Sequence, residues 1–229
     1  MESVDIIIPV FNEEDTIENI LEIVNNVDFC GLRKNIIVVD DYSTDSTRTI
    51  LKKYEDKFKI IYKDKNGGKG SAVSVGFQNA TSDIVLIQDA DLEYDPNDYV
   101  KLVELLMKDE ADVVFGSRFL NNPFKNFMVL SFLANKFLTC LTNILYGTKL
   151  TDMETCYKAM KREFVEGITI KSRKFDLEPE LTAKLVKKGA KFKELPISYN
   201  ARNYETGKKI TYKDGIMAIC ALFKYRFVD

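Results

Sequence analysis

The chain has 229 residues, of which 45% are hydrophobic and 30% are charged, and its formal net charge is −2. A chain of this size and composition can bury a substantial core. Lysines and glutamates are interspersed and form no basic stripe, which argues against nucleic acid as the main partner. The chain contains no histidine, so carboxylates, lysine, arginine, tyrosine or a metal must carry any chemistry.

The cysteines and the apolar segments bear on the cellular compartment. The four cysteines form no C-x-x-C pair, which indicates neither a zinc site nor a disulfide framework and predicts a reducing, cytoplasmic compartment. The acidic start passes directly into a strand, so we expect no signal peptide. Phe127 to Tyr146 is about long enough to span a bilayer, but Asn135 and Lys136 lie in its middle. We interpret it as a buried or surface-lying helix and predict no transmembrane domain.

Apolar runs alternate with helical patterns through the first half of the chain. The predicted strands are Ile6 to Val10, Ile36 to Val39, Lys59 to Tyr62, Ile84 to Ile87, and Val113 to Phe115. The predicted helices between them contain Ile17 to Val24, Ile50 and Leu51, Ser71 to Ala80, and Tyr99 to Met107. This alternation is typical of right-handed βαβ units, and it predicts an α/β fold with a Rossmann-like, mostly parallel sheet flanked by helices.

The second half is less regular. We expect a helix that carries Tyr157 and that Asp152 could cap, and an acidic helix start at Phe175 to Glu180. A strand over Ile197 to Arg202 and an aromatic helix over Tyr212 to Phe227 follow. No linker rich in proline, glycine or serine separates the halves, so we expect a single domain over residues 1–229.

Acidic or polar residues lie at the ends of three of the predicted strands, the first of which ends in Pro9 to Glu13. Asp40 and Asp41 end the second strand, and Asp89 and Asp91 follow the apolar run 84–87. The carboxyl ends of parallel strands are where ligands bind in such sheets. Convergent carboxylates repel each other unless a cation lies between them, and oxygen ligands suit Mg²⁺ or Mn²⁺. We therefore predict an enzyme that handles a nucleotide through a metal; the competing interpretation is that Asp89 and Asp91 only begin a loop.

The glycine-rich segment Gly67 to Ser71 is not a P-loop. Lys69 is followed by Gly70, and the leading glycine of G-x-x-x-x-G-K-[ST] is missing. Two interpretations remain open. The segment is a flexible turn, or it places Lys69 near a phosphate, because it opens a helix whose N-terminus favours anions.

The ordered set of motifs resembles inverting family 2 glycosyltransferases of the GT-A fold. The first three are Ile7 to Glu13 (IPVFNEE), Val39 to Asp45 (VDDYSTD) and the glycine-rich segment. The later motifs are similar to the dolichyl-phosphate mannose synthase branch of polyprenyl-phosphate glycosyltransferases. They are Gln88 to Pro96, Gly116 to Phe119, Asp152 to Ala159, Glu194 to Tyr199 with Arg202, and Gly207 to Ile210. The resemblance runs from about residue 4 to residue 210.

The resemblance implies a nucleotide-binding half, about residues 1–120, and an acceptor-binding half, about residues 121–229. The implied nucleotide-binding residues, among which Asp41 would accept a base N–H, are Pro9, Val10, Asn12, Glu13, Asp40, Asp41, Lys69, Asp89, Ala90 and Asp91. The implied metal ligands are Asp89, Asp91 and Glu93. The implied catalytic residues are Asp89, Asp91, Arg118, Asp152, Arg202 and Lys209, and the implied acceptor-phosphate residues are Arg118, Ser131 and Lys136.

The activity implied is metal-dependent, inverting transfer of mannose or glucose from GDP-mannose or UDP-glucose to a polyprenyl (dolichyl-type) phosphate. A phosphate acceptor is already anionic and needs no general base. If the acceptor were a sugar hydroxyl in glycan synthesis, Asp152 or Glu154 would have to take its proton. A nucleotide-binding module without turnover and a nucleotidyltransferase are competing interpretations, although a nucleotidyltransferase would be expected to have a basic glycine-rich loop after the first strand.

A lipid acceptor implies peripheral contact with the cytoplasmic face of a membrane. Two predicted helices are candidates for this contact, Phe127 to Tyr146 and Tyr212 to Phe227. In the second, the residues placed largely on one side are Ile216, Ile219, Cys220, Leu222 and Phe223. The competing interpretation for either helix is that its apolar side faces the core.

Overall fold

The computed structural model describes residues 1–29, 31–120, 129–173, 176–200 and 212–228. The strands in these ranges are β1 (Ser3–Val10), β2 (Arg33–Asp40), β3 (Lys59–Tyr62), β4 (Ile84–Ile87), β5 (Val113–Ser117), β6 (Lys158–Lys161) and β7 (Phe192–Pro196). The helices are α1 (Ile17–Asn26), α2 (Thr47–Leu51), α3 (Lys69–Asn79), α4 (Tyr99–Met107), α5 (Val129–Tyr146), α6 (Arg162–Val165), α7 (Leu177–Lys187) and α8 (Tyr212–Phe227). Short 3-10 helices cover Lys52–Tyr54 and Pro96–Asp98.

The strands form one sheet in the order β3-β2-β1-β4-β6-β5-β7. The pairs β1/β2, β1/β4, β2/β3 and β5/β7 are parallel, whereas β6 lies between β4 and β5 and is antiparallel to both. This mostly parallel sheet with flanking helices confirms the predicted α/β fold and single domain. The five strands predicted in the first half are all present.

Strands β1, β2 and β4 form the centre of the core. Ile6, Ile7 and Ile8 of β1 are fully buried, and the apolar residues of β2 and β4 are buried as well. Both faces of such strands are covered, which explains why they are continuous apolar runs rather than alternating ones. Each fully buried Ile or Leu side chain contributes about 1.5–3 kcal/mol of transfer free energy. The core therefore fixes the strand ends from which the polar segments emerge.

The helix expected around Tyr157 is wrong. Tyr157 precedes β6, a strand whose two lysines, Lys158 and Lys161, are both buried. The sequence K-A-M-K has no β-branched residue and charged ends, so it does not have a strand pattern. Long-range ion pairs compensate for the buried charges: Lys158 pairs with a carboxylate of α7, and Lys161 lies 2.7 Å from Asp112. Asp152 caps no helix, because residues 151–157 are irregular.

The strand expected over Ile197 to Arg202 is also wrong in its described part. The strand is β7, Phe192–Pro196, and beyond it Tyr199 forms only an isolated bridge with Tyr94. The charged pair inside F-K-E-L-P masks this strand in the sequence, because strand runs are usually rich in β-branched and aromatic residues. Residues 201–202 lie outside the described ranges.

Helices α5 and α8 lie against each other at the surface. Of the residues of α5, only Leu138, Thr139 and Thr142 are buried, so the surface-lying interpretation holds and the buried one is wrong. The Tyr146 hydroxyl donates to the Leu222 carbonyl of α8 over 2.6 Å. Within the described residues, α5 is the one helix whose length and composition would allow it to cross a membrane.

Helix α8 is divided between core and surface. Leu222 and Tyr225 are buried, whereas Ile216 and Phe223 are exposed. The expected single side that contains both Leu222 and Phe223 is therefore wrong, because adjacent helical residues point about 100° apart. Cys220 lies on the exposed side with Ile216 and Phe223.

Candidate nucleotide and acceptor site

The floor of the candidate nucleotide site is formed where β1 and β2 end. Pro9 and Val10 are buried and pair in parallel register with Val39 and Asp40. Asp40 is fully buried, and its carboxylate accepts a hydrogen bond from Arg48 Nε over 2.6 Å. Asp40 is thus a structural anchor for the segment that leaves β2.

The loop after β1 is tied to the loop after β2. The Asn12 backbone N–H donates to Ser43 Oγ over 2.9 Å, and the Thr44 N–H donates to Asn12 Oδ1 over 2.8 Å. The Glu13 N–H donates to Thr47 Oγ1 over 2.9 Å. Asn12 adopts φ +54°, which asparagine tolerates better than most residues. Asn12 and Glu13 therefore lie together at the carboxyl edge, as predicted from the strand pattern.

Asp41 connects β2 to the glycine-rich segment. Its carboxylate accepts hydrogen bonds from the N–H groups of Gly67, over 3.0 Å, and Gly68, over 2.6 Å, and it pairs with Lys63. The carboxylate is almost fully buried. Asp41 thus holds the start of α3 at the carboxyl edge, and its implied contact with a base remains a prediction.

The glycine-rich segment is a close-packed contact and not a flexible turn. A Cβ on Gly68 would lie 1.9 Å from the Arg173 carbonyl oxygen, and a Cβ on Gly70 would lie 2.1 Å from the Ser172 carbonyl oxygen. Gly68 also has φ +83°, a conformation that favours glycine. These glycines therefore allow α3 to begin directly against the chain that leads into α7.

Asp89 and Asp91 emerge together from the end of β4. Asp91 Oδ1 accepts a hydrogen bond from the Glu93 N–H over 3.2 Å. Leu92, which lies between Asp91 and Glu93, has φ +62°, so the chain turns sharply here. Lys69 Nζ lies 2.6 Å from Asp89 Oδ1. Burial lowers the pKa of Lys69, but Asp89 and other nearby acidic groups raise it by more, so the pKa lies well above its usual value. Lys69 is therefore a cation at the predicted metal-binding carboxylate.

Gln88 fixes the end of β4, from which Asp89 and Asp91 emerge. The hydroxyls of Tyr99 and Tyr157 both donate to Gln88 Oε1, the latter over 2.6 Å, and Gln88 Nε2 donates to the Asp89 carbonyl over 2.6 Å. Ala90 is buried in the same turn. Two tyrosines, one from α4 and one from the irregular segment before β6, therefore set the position of the Asp89 backbone.

The carboxylates of Asp89 and Asp91 supply only part of the coordination shell of a divalent cation. Carboxylate oxygens are the ligands that Mg²⁺ and Mn²⁺ prefer. Across the described ranges, no three Asp, Glu, His or Cys side chains are grouped so that they could hold a metal. Glu93 Oε2 accepts the Tyr199 hydroxyl over 2.9 Å. The residues fit an ion that takes its remaining ligands from a diphosphate and water, as Mg²⁺ usually does.

Arg118 and Asp152 form a buried, two-pronged ion pair. Arg118 Nε lies 2.7 Å from Asp152 Oδ2, and a terminal guanidinium nitrogen lies 2.8 Å from Oδ1. Burial lowers the pKa of Arg118, but Asp152, Tyr94 and Tyr199 together raise it by more, so the pKa lies well above its usual value. Glu194 accepts hydrogen bonds from the N–H groups of Thr151, over 2.7 Å, and Asp152, over 3.0 Å. Asp152 is thus held as the partner of Arg118.

Lys136, but not Ser131, joins this cluster. Lys136 Nζ donates to the Thr151 carbonyl over 3.2 Å and lies 4.7 Å from the centre of the Phe119 ring, which Arg118 also approaches at 5.6 Å. Ser131 lies five residues earlier on α5, about 140° around the helix from Lys136. The structure therefore brings Arg118 and Lys136 together on Phe119, whereas Ser131 points in another direction.

Glu154 is the acid of this region with the most perturbed pKa. Burial chiefly, and then Glu178, raise the pKa of Glu154 to about 8, although Lys158 and Arg118 lower it. Its Oε1 atom is buried and makes no hydrogen bond to the described residues. Perturbed acids of this kind are candidates for proton transfer. Of the two acids considered as bases, Asp152 is engaged by Arg118, and Glu154 is the better candidate.

Three important residues were missed by the sequence interpretation. Tyr199 contacts Glu93 and also lies under Arg118, whose guanidinium carbon is 5.2 Å from the ring centre. Glu178 lies 3.7 Å from Lys69, and Gln88 anchors Asp89. The two acids at the start of α7 were a signal for Glu178, whereas Gln88 and Tyr199 lie within motifs that carry the family resemblance but were given no role. The predicted residues Arg202 and Lys209 lie outside the described residues.

The chain was compared with known proteins. The family model of glycosyl transferase family 2 matches residues 5–169. The dolichol-phosphate mannosyltransferase of Pyrococcus furiosus is 30% identical over 205 residues, which are 87% of this chain and 57% of that protein. The UDP-N-acetylglucosamine–dolichyl-phosphate N-acetylglucosaminyltransferase of Methanococcus voltae is 28% identical over 214 residues, which are 84% of this chain and 83% of that protein. The chain thus spans little more than half of the Pyrococcus protein.

A solved structure shares the fold. Glucosyl-3-phosphoglycerate synthase from Mycobacterium tuberculosis, in complex with UDP, superposes with a TM-score of 0.76 at 20% identity, over 100% of this chain and 81% of that chain. The same enzyme was crystallised with Mn²⁺ and UDP and with Mg²⁺ and UDP. At this identity the likeness concerns the fold alone. The family model, which matches most of the chain, confirms the family expected from the motifs: the chain belongs to glycosyl transferase family 2.

Proposed function

We propose that this protein transfers a hexose, with inversion and with the help of a divalent metal, from a nucleotide sugar to a polyprenyl phosphate. One observation carries the proposal: Tyr199 contacts Glu93, beside Asp91, and lies under Arg118. Tyr199 therefore joins the carboxylates expected to face the donor diphosphate to the cations expected to face the acceptor. A transferase that moves a sugar between two phosphates needs such adjacent regions.

The donor half would bind the nucleotide at the carboxyl edge of the sheet. Asp89 and Asp91 would hold Mg²⁺ or Mn²⁺, which would neutralise the charge that develops on the leaving diphosphate. Crystals of the Mycobacterium neighbour with either ion and UDP support this choice of ions. The relatives named above include transferases of different sugars, so mannose and glucose remain proposals, as do GDP-mannose and UDP-glucose as donors.

The acceptor half would bind a phosphate through Lys136 and Arg118. Asp152 balances the charge of Arg118 and fixes its orientation. Lys136 is a different case, because none of the described carboxylates forms an ion pair with it, and its ammonium donates to the Thr151 carbonyl. Lys136 is therefore the stronger candidate for the acceptor phosphate. Since that phosphate is itself anionic, its oxygen can attack the anomeric carbon without a protein base.

Transfer to a sugar hydroxyl is the second candidate function, and Glu154 favours it. A hydroxyl acceptor must lose a proton, and the ionised form of an acid with a pKa of about 8 is a strong enough base to take it near neutral pH. The distinction is testable, because only the hydroxyl reaction should depend on Glu154 as a base. Glu154→Gln should leave transfer to a lipid phosphate largely intact.

Contact with the cytoplasmic face of a membrane would bring the lipid acceptor to the site. We define the exposed apolar stripes as two sets of residues, Leu130, Leu133, Phe137 and Ile144 on α5 and Ile216, Phe223 and Phe227 on α8. Each set recurs at helical spacing, so it forms one face of its helix. Lys224 and Arg226 on α8 are exposed beside these residues and could approach lipid headgroups.

The proposal is tested by incubating the protein with a panel of nucleotide sugars, Mg²⁺ or Mn²⁺, and dolichyl or undecaprenyl phosphate, followed by mass analysis of the lipid product. We expect a hexosyl polyprenyl phosphate, and we expect excess EDTA and Asp91→Ala each to abolish its formation. Asp56→Ala, at an exposed acid in the turn that enters the amino end of β3, opposite the carboxyl edge where the site lies, is the matched control. Full activity in EDTA would eliminate the metal role, and transfer to a free oligosaccharide in a parallel reaction, without any lipid product, would favour the second function.

A further inference from the structure

Lys69 lies between two carboxylates from different parts of the fold. Its Nζ atom is 2.6 Å from Asp89 Oδ1 at the end of β4 and 3.7 Å from Glu178 Oε1 in the first turn of α7. About a third of the Lys69 side chain, 31%, is exposed, so Lys69 borders the surface of the site. Lys69 is therefore positioned to exchange its closest partner with only a small movement.

Close backbone packing holds Lys69 at this place. Gly68 and Gly70, on either side of it, press against the carbonyls of Arg173 and Ser172, where no Cβ would fit. That chain segment leads directly into α7 and Glu178. The Lys69 backbone is thus positioned by main-chain contacts as well as by its ion pairs.

Glu178 is held from its other side by Lys158. Lys158 is completely buried, its Nζ pairs with Glu178 Oε2, and it also donates to the carbonyls of Met153, over 3.3 Å, and Thr155. Lys69 is nearest to the other carboxylate oxygen, Oε1. Glu178 is consequently a fixed acceptor whose position does not depend on where the Lys69 ammonium lies.

A divalent cation bound to Asp89 would weaken the ion pair between Lys69 and Asp89. Two cations that share one carboxylate repel each other, and the repulsion is strong in a partly buried site. Glu178 offers Lys69 a second carboxylate within reach. From that position the Lys69 ammonium would still border the site where the donor diphosphate is expected.

We propose that Lys69 is the resident counter-cation of Asp89 and that Glu178 is the positioning residue that receives it: Lys69 pairs with Asp89 while the site lacks a metal, and it shifts to Glu178 when a divalent cation and a nucleoside diphosphate bind. The inference rests on the proposed function, because it requires a metal at Asp89. It assigns Glu178 an effect on metal affinity without any contact between Glu178 and the metal.

The test measures Mn²⁺ binding without nucleotide, by the electron paramagnetic resonance signal of free Mn²⁺, and then with GDP or UDP. Lys69→Met should bind Mn²⁺ alone about tenfold more tightly, because the competing cation is gone. Glu178→Gln should bind Mn²⁺ about tenfold more weakly, because Lys69 then has Asp89 as its remaining acid partner. In the Lys69→Met background, Glu178→Gln should change the logarithm of the Mn²⁺ dissociation constant by less than half as much as it does in the wild type. The reason is that no lysine remains to be redirected.

Two controls keep these outcomes interpretable. Glu178→Gln leaves Lys158 without its carboxylate and could destabilise the fold, so Glu178→Gln/Lys158→Met removes both buried charges and should show the same weakened Mn²⁺ binding. Lys69→Arg should retain wild-type behaviour. Thermal unfolding of each variant confirms that the protein measured is folded.

The possible results separate the inference from the proposed function. If Glu178→Gln weakens Mn²⁺ binding equally with and without Lys69, or if Lys69→Met leaves it unchanged, the inference is overturned. If the wild type binds Mn²⁺ in a manner that Asp91→Ala abolishes, the metal site stands even when the Lys69 variants contradict the exchange. If the wild type binds no Mn²⁺, the metal role and this inference fall together.

Discussion

Arg118 and Asp152 are 34 residues apart in the chain, and three hydrogen bonds join them, two from the guanidinium and one from the Arg118 backbone N–H. Both side chains are almost completely buried. The pair links the end of β5 to the irregular segment before β6, so it fixes the segment that carries Glu154. Its loss should therefore affect the stability of the fold as well as the acceptor region.

We expect Asp152→Asn to lower the free energy of unfolding by about 3–5 kcal/mol, because it leaves the buried Arg118 guanidinium uncompensated. Urea denaturation monitored by circular dichroism measures the change. The matched control is Glu166→Gln, which breaks the exposed pair between Arg162 and Glu166 and should cost less than about 1 kcal/mol. Equal effects of the two substitutions would contradict the structural role given to Asp152.

The raised pKa of Glu154 predicts a stability that falls as pH rises. An acid whose pKa is about 8 in the folded protein favours folding below its ordinary pKa, and this contribution is lost as pH rises towards 8. The slope is at most about 1.4 kcal/mol per pH unit between those limits. The difference in unfolding free energy between Glu154→Gln and the wild type, measured from pH 5.5 to 7.5, should therefore change steadily. A constant difference would exclude the raised pKa.

Two helical glycines should respond oppositely to alanine. A Cβ at Gly70 would lie 2.1 Å from the Ser172 carbonyl oxygen, whereas a Cβ at Gly215 on α8 meets nothing within 4 Å. We expect Gly70→Ala to destabilise the protein by about 2–4 kcal/mol through forced backbone movement. Gly215→Ala should stabilise it by about 0.5–1 kcal/mol, since alanine is the better helix former. Thermal or urea unfolding measures the change in stability of each variant. Similar changes in stability in the two variants would contradict the close packing at Gly70.

Replacing exposed apolar residues of α5 and α8 should weaken binding to lipid vesicles. Leu133 and Phe223 are exposed by 56% and 47%, and Leu133→Asp with Phe223→Asp should reduce co-sedimentation with vesicles containing anionic lipid at least about tenfold. Met107→Asp changes a residue of α4 that is 48% exposed, and it serves as the control. Equal loss from Met107→Asp would indicate a general surface effect, and an unchanged double variant would contradict membrane contact through these helices.

The sequence predicts those parts of the fold in which local pattern and burial agree. Strands β1 to β5 are apolar runs, and Asp89 and Asp91 were placed correctly at the end of one of them. Strand β6 was missed because its stability comes from partners far away in the chain, which supply the counter-charges for Lys158 and Lys161. No local pattern encodes such pairs.

The candidate site, like the fold, was predicted from the sequence only in part. The residue types at the carboxyl edge followed from the motifs, whereas their partners did not. The pairing of Arg118 with Asp152, the contact of Tyr199 with Glu93 and the approach of Lys69 to Glu178 each join segments more than 30 residues apart. The last two contacts depend on how α7 and the segment after β7 pack, which periodicity alone does not specify.

The insertion of β6 between β4 and β5 determines how members of this family could be recombined. In the described sheet, β5 pairs only with β6 and β7, both of which follow residue 120. A chimera joined at residue 120 would therefore combine β5 of one parent with the two neighbouring strands of another. Exchange of donor and acceptor specificities should succeed more often when β5, β6 and β7 are transferred as one block, with the crossover placed between β4 and α4.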